Sequence, residues 1–278
     1  MPVFSYLCVA MKKGCFTPCF KSPLNRIYNL FIISKGTFCH FLKFLLHFCL
    51  SRFIIYSVKG KELTAMSEMN NKPKVILLNG SAHAEGTTYR ALREVADTLT
   101  AEGIDAEIIH VGHLTVKGCS ECYACGKLKK CVHDDIVNEI AEKFKEADGL
   151  IIGSPVFYAS PNGAFLALLD RLFYSSRFDK SMKVGASVVA ARRGGCTASF
   201  DVLNKYFTIS DMPVVSARYW NQVHGNTQED AECDLEGLHT MRGLGRNMAF
   251  LIKCIRLGKE QLPPIERESK VYTNFIRR

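Results

Sequence analysis

The chain has 278 residues, with 36 Lys and Arg against 27 Asp and Glu, 47% hydrophobic residues and 12 cysteines. That composition excludes a disordered or fibrous chain and leaves enough length for a sizeable core. The formal net charge of +9 sits almost wholly in residues 1–65, which hold nine basic residues and one acid, Glu62, whereas residues 66–278 balance 27 basic residues against 26 acids. A part so close to neutral is not a general polyanion-binding surface, so nucleic acid is excluded as a partner.

Residues 1–65 form a basic, Phe-rich extension with nine of the eighteen Phe residues. Its apolar runs are short, because Lys35, Lys43 and Arg52 interrupt them. A membrane span needs roughly 20 apolar residues, and a signal peptide carries its basic residues ahead of the apolar stretch, so neither pattern fits. Two readings stay open: translated sequence upstream of a start at Met66 or Met69, or a membrane-associated extension. The domain of interest is then 66–278.

From residue 74 the chain alternates strand and helix. Val75-Ile76-Leu77-Leu78 is a continuous apolar run, as expected for a strand buried on both faces. A helix over 87–101 places Leu92, Val95 and Leu99 at helical spacing. A second strand follows at 107–111, then a helix over 136–147 that opens after Asp134 and Asp135. The third strand spans 150–152 and its helix 163–173; the fourth spans 184–190 and its helix 198–206. A fifth strand is predicted at 213–217, and a long C-terminal helix at 236–257. Five strands alternating with helices imply an α/β, doubly wound parallel sheet, whose ligands sit beyond the carboxyl ends of the strands.

Three loops at that edge carry the right chemistry. The first is Gly80-Ser81-Ala82-His83-Ala84-Glu85-Gly86-Thr87-Thr88, which opens into a helix. Small residues, hydroxyls and a helix N-terminus suit a phosphate, although the spacing is neither a Walker loop nor G-x-G-x-x-G. Ser154-Pro155-Val156-Phe157-Tyr158 follows strand three and suits a flat heteroaromatic ring with polar edges. Ala191-Arg192-Arg193-Gly194-Gly195 follows strand four and would meet ring carbonyls or a dinucleotide phosphate, or serve as a solvated turn.

Four cysteines, Cys119, Cys122, Cys125 and Cys131, are spaced x2, x2 and x5. Such a knot in a large chain points to metal or redox chemistry in a reducing, cytoplasmic compartment rather than to a disulfide framework. An iron–sulfur cluster, a zinc site and reduced or disulfide-forming thiols are the three readings. Cys196, Cys233 and Cys254 read as packing residues, and Asp170-Arg171 as a structural pair.

Together these motifs resemble the flavodoxin-like NAD(P)H-dependent FMN reductases, including the iron–sulfur flavoproteins. The likeness covers roughly residues 73–276 and extends through G-S-P-V-F-Y at 153–158, L-L-D-R at 168–171 and Y-W-N-Q-V-H-G at 219–225. It implies the flavodoxin strand order 2-1-3-4-5 and noncovalent FMN. Ser81, His83, Gly86, Thr87 and Thr88 would hold the phosphate, and Pro155, Val156, Phe157 and Tyr158 would line the ring. Arg193 and Gly194 would close over it, with Arg192 beside them.

The same likeness implies NAD(P)H as electron donor, a [4Fe–4S] cluster on the four cysteines, and a homo-oligomer. One departure is His83 after Ala82, where relatives often carry Pro-Arg; an imidazole clamps phosphate more weakly and with pH sensitivity. The activity implied is transfer of electrons from NAD(P)H through FMN to a quinone, free flavin or other small acceptor. A competing expectation is an electron carrier serving a ferredoxin-like partner. A third is a redox-responsive binding protein that senses through the knot.

Overall fold

The computed structural model describes residues 72–269 together with 271 and 273; the extension 1–65 lies outside them. Strands and helices alternate, apart from a short extra helix or strand at three points. β1 (Lys74–Asn79), α1 (Thr87–Ala101) and β2 (Asp105–His110) come first. Next are the single turn α2 (Cys125–Leu128), α3 (Ile136–Glu146), β3 (Gly149–Phe157), the two-residue β4 (Ser160–Pro161) and α4 (Gly163–Ser175). β5 (Val184–Ala191), α5 (Cys196–Thr208), β6 (Gln222–His224), α6 (Gln228–Cys233) and α7 (Leu235–Gln261) complete the chain.

The parallel strands are ordered β2-β1-β3-β5-β6, and β4 only folds back antiparallel on the end of β3. With that hairpin set aside, the order is the expected 2-1-3-4-5. Each face of the sheet is covered because β1 is apolar at every other position twice over. Val75 and Leu77 pack with Leu92, Val95 and Leu99 of α1 and with Met241, Leu244 and Met248 of α7. Ile76 and Leu78 pack on the opposite face with Ile140 and Phe144 of α3, Leu168 and Leu172 of α4, and Leu203 and Phe207 of α5. Those alternating directions follow from the two-residue period of a strand.

Gly245 lets α7 cross α1 closely: a Cβ there would lie 2.8 Å from the Thr98 Cβ. The crossing is tied by Glu94, which pairs with both Arg90 and Arg242. The Glu94 carboxyl is pushed up by partial burial, yet those hydrogen bonds outweigh burial and hold it below the usual range.

The fifth strand departs from the expected 213–217. That segment meets β5 only at an isolated bridge from Gly185 to Val214, with the Gly185 N–H donating to Pro213 O (2.8 Å) and Val215 N–H to Gly185 O (2.9 Å). The chain then leaves the sheet and returns at β6, where Val189 N–H donates to Asn221 O at 2.9 Å. The strand is split. Tyr219 and Trp220 ride on the excursion and precede β6 rather than follow it.

Two further expectations are corrected. Cys196 is buried, but Cys233 and Cys254 are exposed, so they do not pack. Asp170 and Arg171 are not partners: Asp170 accepts from the Tyr206 hydroxyl at 2.5 Å, and Arg171 turns inward to Asp135.

Candidate functional site

The loops after β1, β2, β3, β5 and β6 all open at one edge, and specific bonds tie them together. Asn162, which caps α4, donates to Gly80 O at 2.9 Å and so joins the β3 loop to the first. His110, at the end of β2, lies 2.8 Å from Ser81 O through Nε2. Gly195, at φ +97, sits where a Cβ would come within 2.9 Å of the Ala159 Cα, joining the β5 and β3 loops. Gly225 N–H reaches Ala191 O at 3.1 Å. The edge is one connected surface.

The first loop is folded by its own side chains. Asn79 Oδ1 accepts from Ser81 N–H (3.1 Å), Asn79 Nδ2 donates to Ala84 O (3.2 Å), and Ser81 Oγ accepts from His83 N–H (3.2 Å). The loop delivers the chain to α1 with Gly86 as N-cap. No side chain caps this end, and the first turn has no acid. Unpaired amides at a helix start, ringed by the buried Ser81, Thr87 and Thr88, form a cradle of donors for an anion. The residues fit a phosphate.

Beyond it, Pro155 and Val156 are partly buried, while Phe157 and Tyr158 are exposed, at 47% and 105%. β3 turns back through Tyr158 and Ala159, both at positive φ (+51 and +57), and Phe157 pairs with Ser160. Two L-residues in the left-handed region cost about 1–2 kcal/mol each, so the packing of this hairpin sustains strain. Arg192, Arg193 and Gly194 are exposed beside it. Tyr219 and Trp220 stack edge to face at 5.0 Å between ring centroids, each half exposed. The twelve residues predicted for the cofactor lie along this edge: Ser81, His83 and Gly86 in the first loop, Thr87 and Thr88 in the first turn of α1, Pro155, Val156 and Phe157 at the end of β3, Tyr158 in the turn after it, and Arg192, Arg193 and Gly194 in the loop after β5.

The four cysteines form a second feature. Cys119, Cys122, Cys125 and Cys131 line one pocket with Tyr123, Arg171, Tyr174 and Ser175. Among the described residues no three His, Cys, Asp or Glu side chains meet the spacing needed around a single metal ion. The loop coils tightly: Glu121 and Tyr123 have positive φ, and Tyr123 is followed by the right-handed Ala124. These positive-φ residues turn the chain sharply between the cysteines.

Arg171 is 1% exposed and donates to Cys131 Sγ (3.2 and 3.3 Å), and Arg177 donates to Cys125 Sγ (3.4 Å). Ser175 Oγ is buried in the pocket wall without a partner among the described residues. Four thiols, guanidinium donors and an unsatisfied hydroxyl fit a metal–sulfur group.

Asn162, His110, Thr227 and Arg171 were not singled out as functional from sequence. For Arg171 the signal was present, since it falls on the apolar face of α4 with Leu168 and Leu172, where a charge must have a buried partner. His224 also has a partner, Asp234, at 3.7 Å.

A doubly wound sheet with an anion cradle after its first strand defines a flavodoxin-like nucleotide-binding protein. Residues 73–227 match the family described as NADPH-dependent FMN reductase, and the chain belongs to that family. It is a flavoprotein oxidoreductase by that membership. An iron-sulfur flavoprotein of Methanocaldococcus jannaschii is 35% identical over 195 residues, covering 66% of this chain and 99% of that protein. One of Methanosarcina thermophila is 26% identical over 192 residues, covering 68% and 100%. The solved NAD(P)H:quinone oxidoreductase of Methanothermobacter marburgensis shares the fold, with a TM-score of 0.51, 16% identity, and coverage of 64% and 98%. No helix among the described residues is long and apolar enough to cross a membrane.

Proposed function

We propose that this protein takes electrons from NAD(P)H through bound FMN and passes them to a quinone, free flavin or other small acceptor. The observation that carries the reading is the linked edge: an uncapped α1 N-terminus inside a loop that Asn162 and His110 fasten to the neighbouring strands. Ser81, His83, Gly86, Thr87 and Thr88 would hold the phosphate, and Pro155, Val156, Phe157 and Tyr158 the ring. Arg193 and Gly194 would close over the ring, and Arg192 or Arg193 would meet the phosphate of an incoming nicotinamide nucleotide. When bound, FMN supplies hydride acceptance and electron delivery; the chain supplies binding, orientation and access.

A second reading is supported by the cysteine pocket. Cys119, Cys122, Cys125 and Cys131 would hold a [4Fe–4S] cluster, and the protein would then serve as a carrier toward a ferredoxin-like partner. The relatives that bear the name iron-sulfur flavoprotein favour this reading. We further propose a homo-oligomer in the cytoplasm, with the half-exposed Tyr219 and Trp220 as contact candidates.

One preparation tests both readings. Anaerobically purified full-length protein should show flavin bands near ~370 and ~450 nm that bleach with NADPH or NADH. About four irons per chain would support the carrier role; flavin without iron would leave the plain reductase. Absence of flavin after FMN is added would overturn the proposal.

A further inference from the structure

The best-connected side chain outside the flavin edge is Arg171. It lies mid-helix in α4, and its five donors are spent on three targets. Nε and Nη2 reach Cys131 Sγ at 3.3 and 3.2 Å. Nη1 and Nη2 grip the Asp135 carboxylate at 2.7 and 2.9 Å, and Nη1 also reaches Lys117 O at 3.3 Å. Asp135 is in turn the N-cap of α3, accepting from Val137 N–H at 3.2 Å. Asn138, on the same helix, holds the Cys131 backbone from both sides, accepting from its N–H at 3.0 Å and donating to its carbonyl at 3.2 Å.

Cys131 is thus fixed at its backbone by Asn138 and at its sulfur by Arg171. Lys117 and Cys131 bracket the cysteine loop, so one guanidinium fastens both ends of it to α4. A pair that served only to join α3 to α4 would need the carboxylate alone. The contact with sulfur and the loop closure are additional. Ser175 lies one turn further along the same helix face, in the same pocket, with its buried hydroxyl unpartnered among the described residues. Arg177 supplies a second cationic donor to Cys125.

Resting on the cluster reading above, we propose that Arg171 is a positioning residue of the four-cysteine site: it sets the Cys131 sulfur and, through its hydrogen bonds to that sulfur, favours the more electron-rich state of the metal–sulfur group held there. Hydrogen bonds to ligand sulfurs raise the reduction potential of such groups, while the Asp135 carboxylate offsets the guanidinium charge itself. A lysine retains the charge but not the fork that meets sulfur and carboxylate at once.

The test uses full-length protein reconstituted anaerobically with ferrous iron and sulfide. Iron per chain, the visible-range redox titration and FMN per chain are read on each variant. Arg171→Met alone would strand a carboxylate, so it is combined with Asp135→Asn, which preserves an N-cap. Arg171→Lys is made separately, and far-UV circular dichroism checks folding.

We expect the double variant to bind FMN normally but to lose iron, or to retain it at a more negative midpoint potential. Arg171→Lys, which offers a single ammonium donor without the fork, should fall between the double variant and wild type. Wild-type values for both iron and potential in the double variant would overturn the proposal and leave the cluster reading standing. So would an Arg171→Lys protein with wild-type iron and potential, because lysine cannot make the fork. Wild-type protein that takes up no iron while binding FMN would remove the cluster reading, and the proposal with it.

Discussion

The hydroxyl of Thr87 donates to the carbonyl oxygen of Thr227 at 2.9 Å, across 140 positions of sequence. This bond latches the first turn of α1 to the loop that leaves the last strand. Thr227 is itself held by a capping box with Asp230, so the latch anchors to a rigid point. The proton of Thr87 Oγ1 is therefore committed to protein, and donation to a phosphate falls to the amides and the other hydroxyls.

Thr87→Val should cost about 1 kcal/mol of stability, the net worth of a typical buried hydrogen bond. It should weaken FMN only a few-fold. Chemical denaturation and flavin fluorescence titration measure the two effects separately.

Ser81→Ala should be more severe for the cofactor. Ser81 Oγ braces the His83 amide within the cradle and is the predicted phosphate donor. A hydrogen bond to a charged group is worth about 1.5–3 kcal/mol, so FMN affinity should fall by roughly ten- to a hundred-fold. An unchanged dissociation constant would remove Ser81 from the site.

The α1–α7 crossing has no room at Gly245. A valine would press on the Thr98 Cβ and, at 3.2 Å from its own Cβ, on the Val95 carbonyl oxygen. Overpacking of this kind costs about 1–3 kcal/mol. Gly245→Val should lower the thermal midpoint without shifting the visible spectrum of bound flavin.

The Tyr158–Ala159 turn predicts a gain. Ala159→Gly removes a Cβ from the left-handed region, while glycine adds freedom to the unfolded chain worth about 0.4–1 kcal/mol. The net should be about 0.5–1 kcal/mol of stabilisation, measured by denaturant midpoint. A loss of that size would mean that the positive φ is not strained.

Glu94 predicts a pH dependence. Its carboxyl is held below the ordinary value by Arg242 and Arg90, against partial burial. A depressed carboxylate contributes stability that is full above the unfolded value near ~4.3 and is lost as pH falls through the folded value. Glu94→Gln should therefore be less stable than wild type at pH 7, and the two should converge at the acid end of a pH series. Parallel curves would contradict the assignment.

β1, β3 and β5 and the long helices are legible from continuous apolar runs or helical stripes, whereas α2 and β4, four and two residues long, are too short for any periodicity to announce. Val75–Leu78 could only be a two-faced strand, and Leu92, Val95 and Leu99 only a helix face. The fifth strand was misplaced for a physical reason. Pro213-Val214-Val215 has strand character and does begin to pair, but Asn221–His224 supplies the ladder, and nothing local distinguishes the two segments. The site was legible in its loops and opaque in its links. Hydroxyls and glycines after β1 announce an anion, whereas Asn162 bonding to Gly80 O depends on two loops meeting in space. Arg171 was misassigned because the adjacent Asp170 offered a nearer partner than Asp135, which lies 36 positions away.

Among the described residues the sheet ends at one side on β6, only three residues long, and at the other on β2, which carries the charged Asp105 and Glu107. Glu107 is further engaged by Lys74 and Lys143. A short border and a charged one both resist capture by a stray strand from another molecule. Neither described border offers a long apolar strand for another molecule to extend. The two outermost strands thus close the described sheet against ladder growth from molecule to molecule.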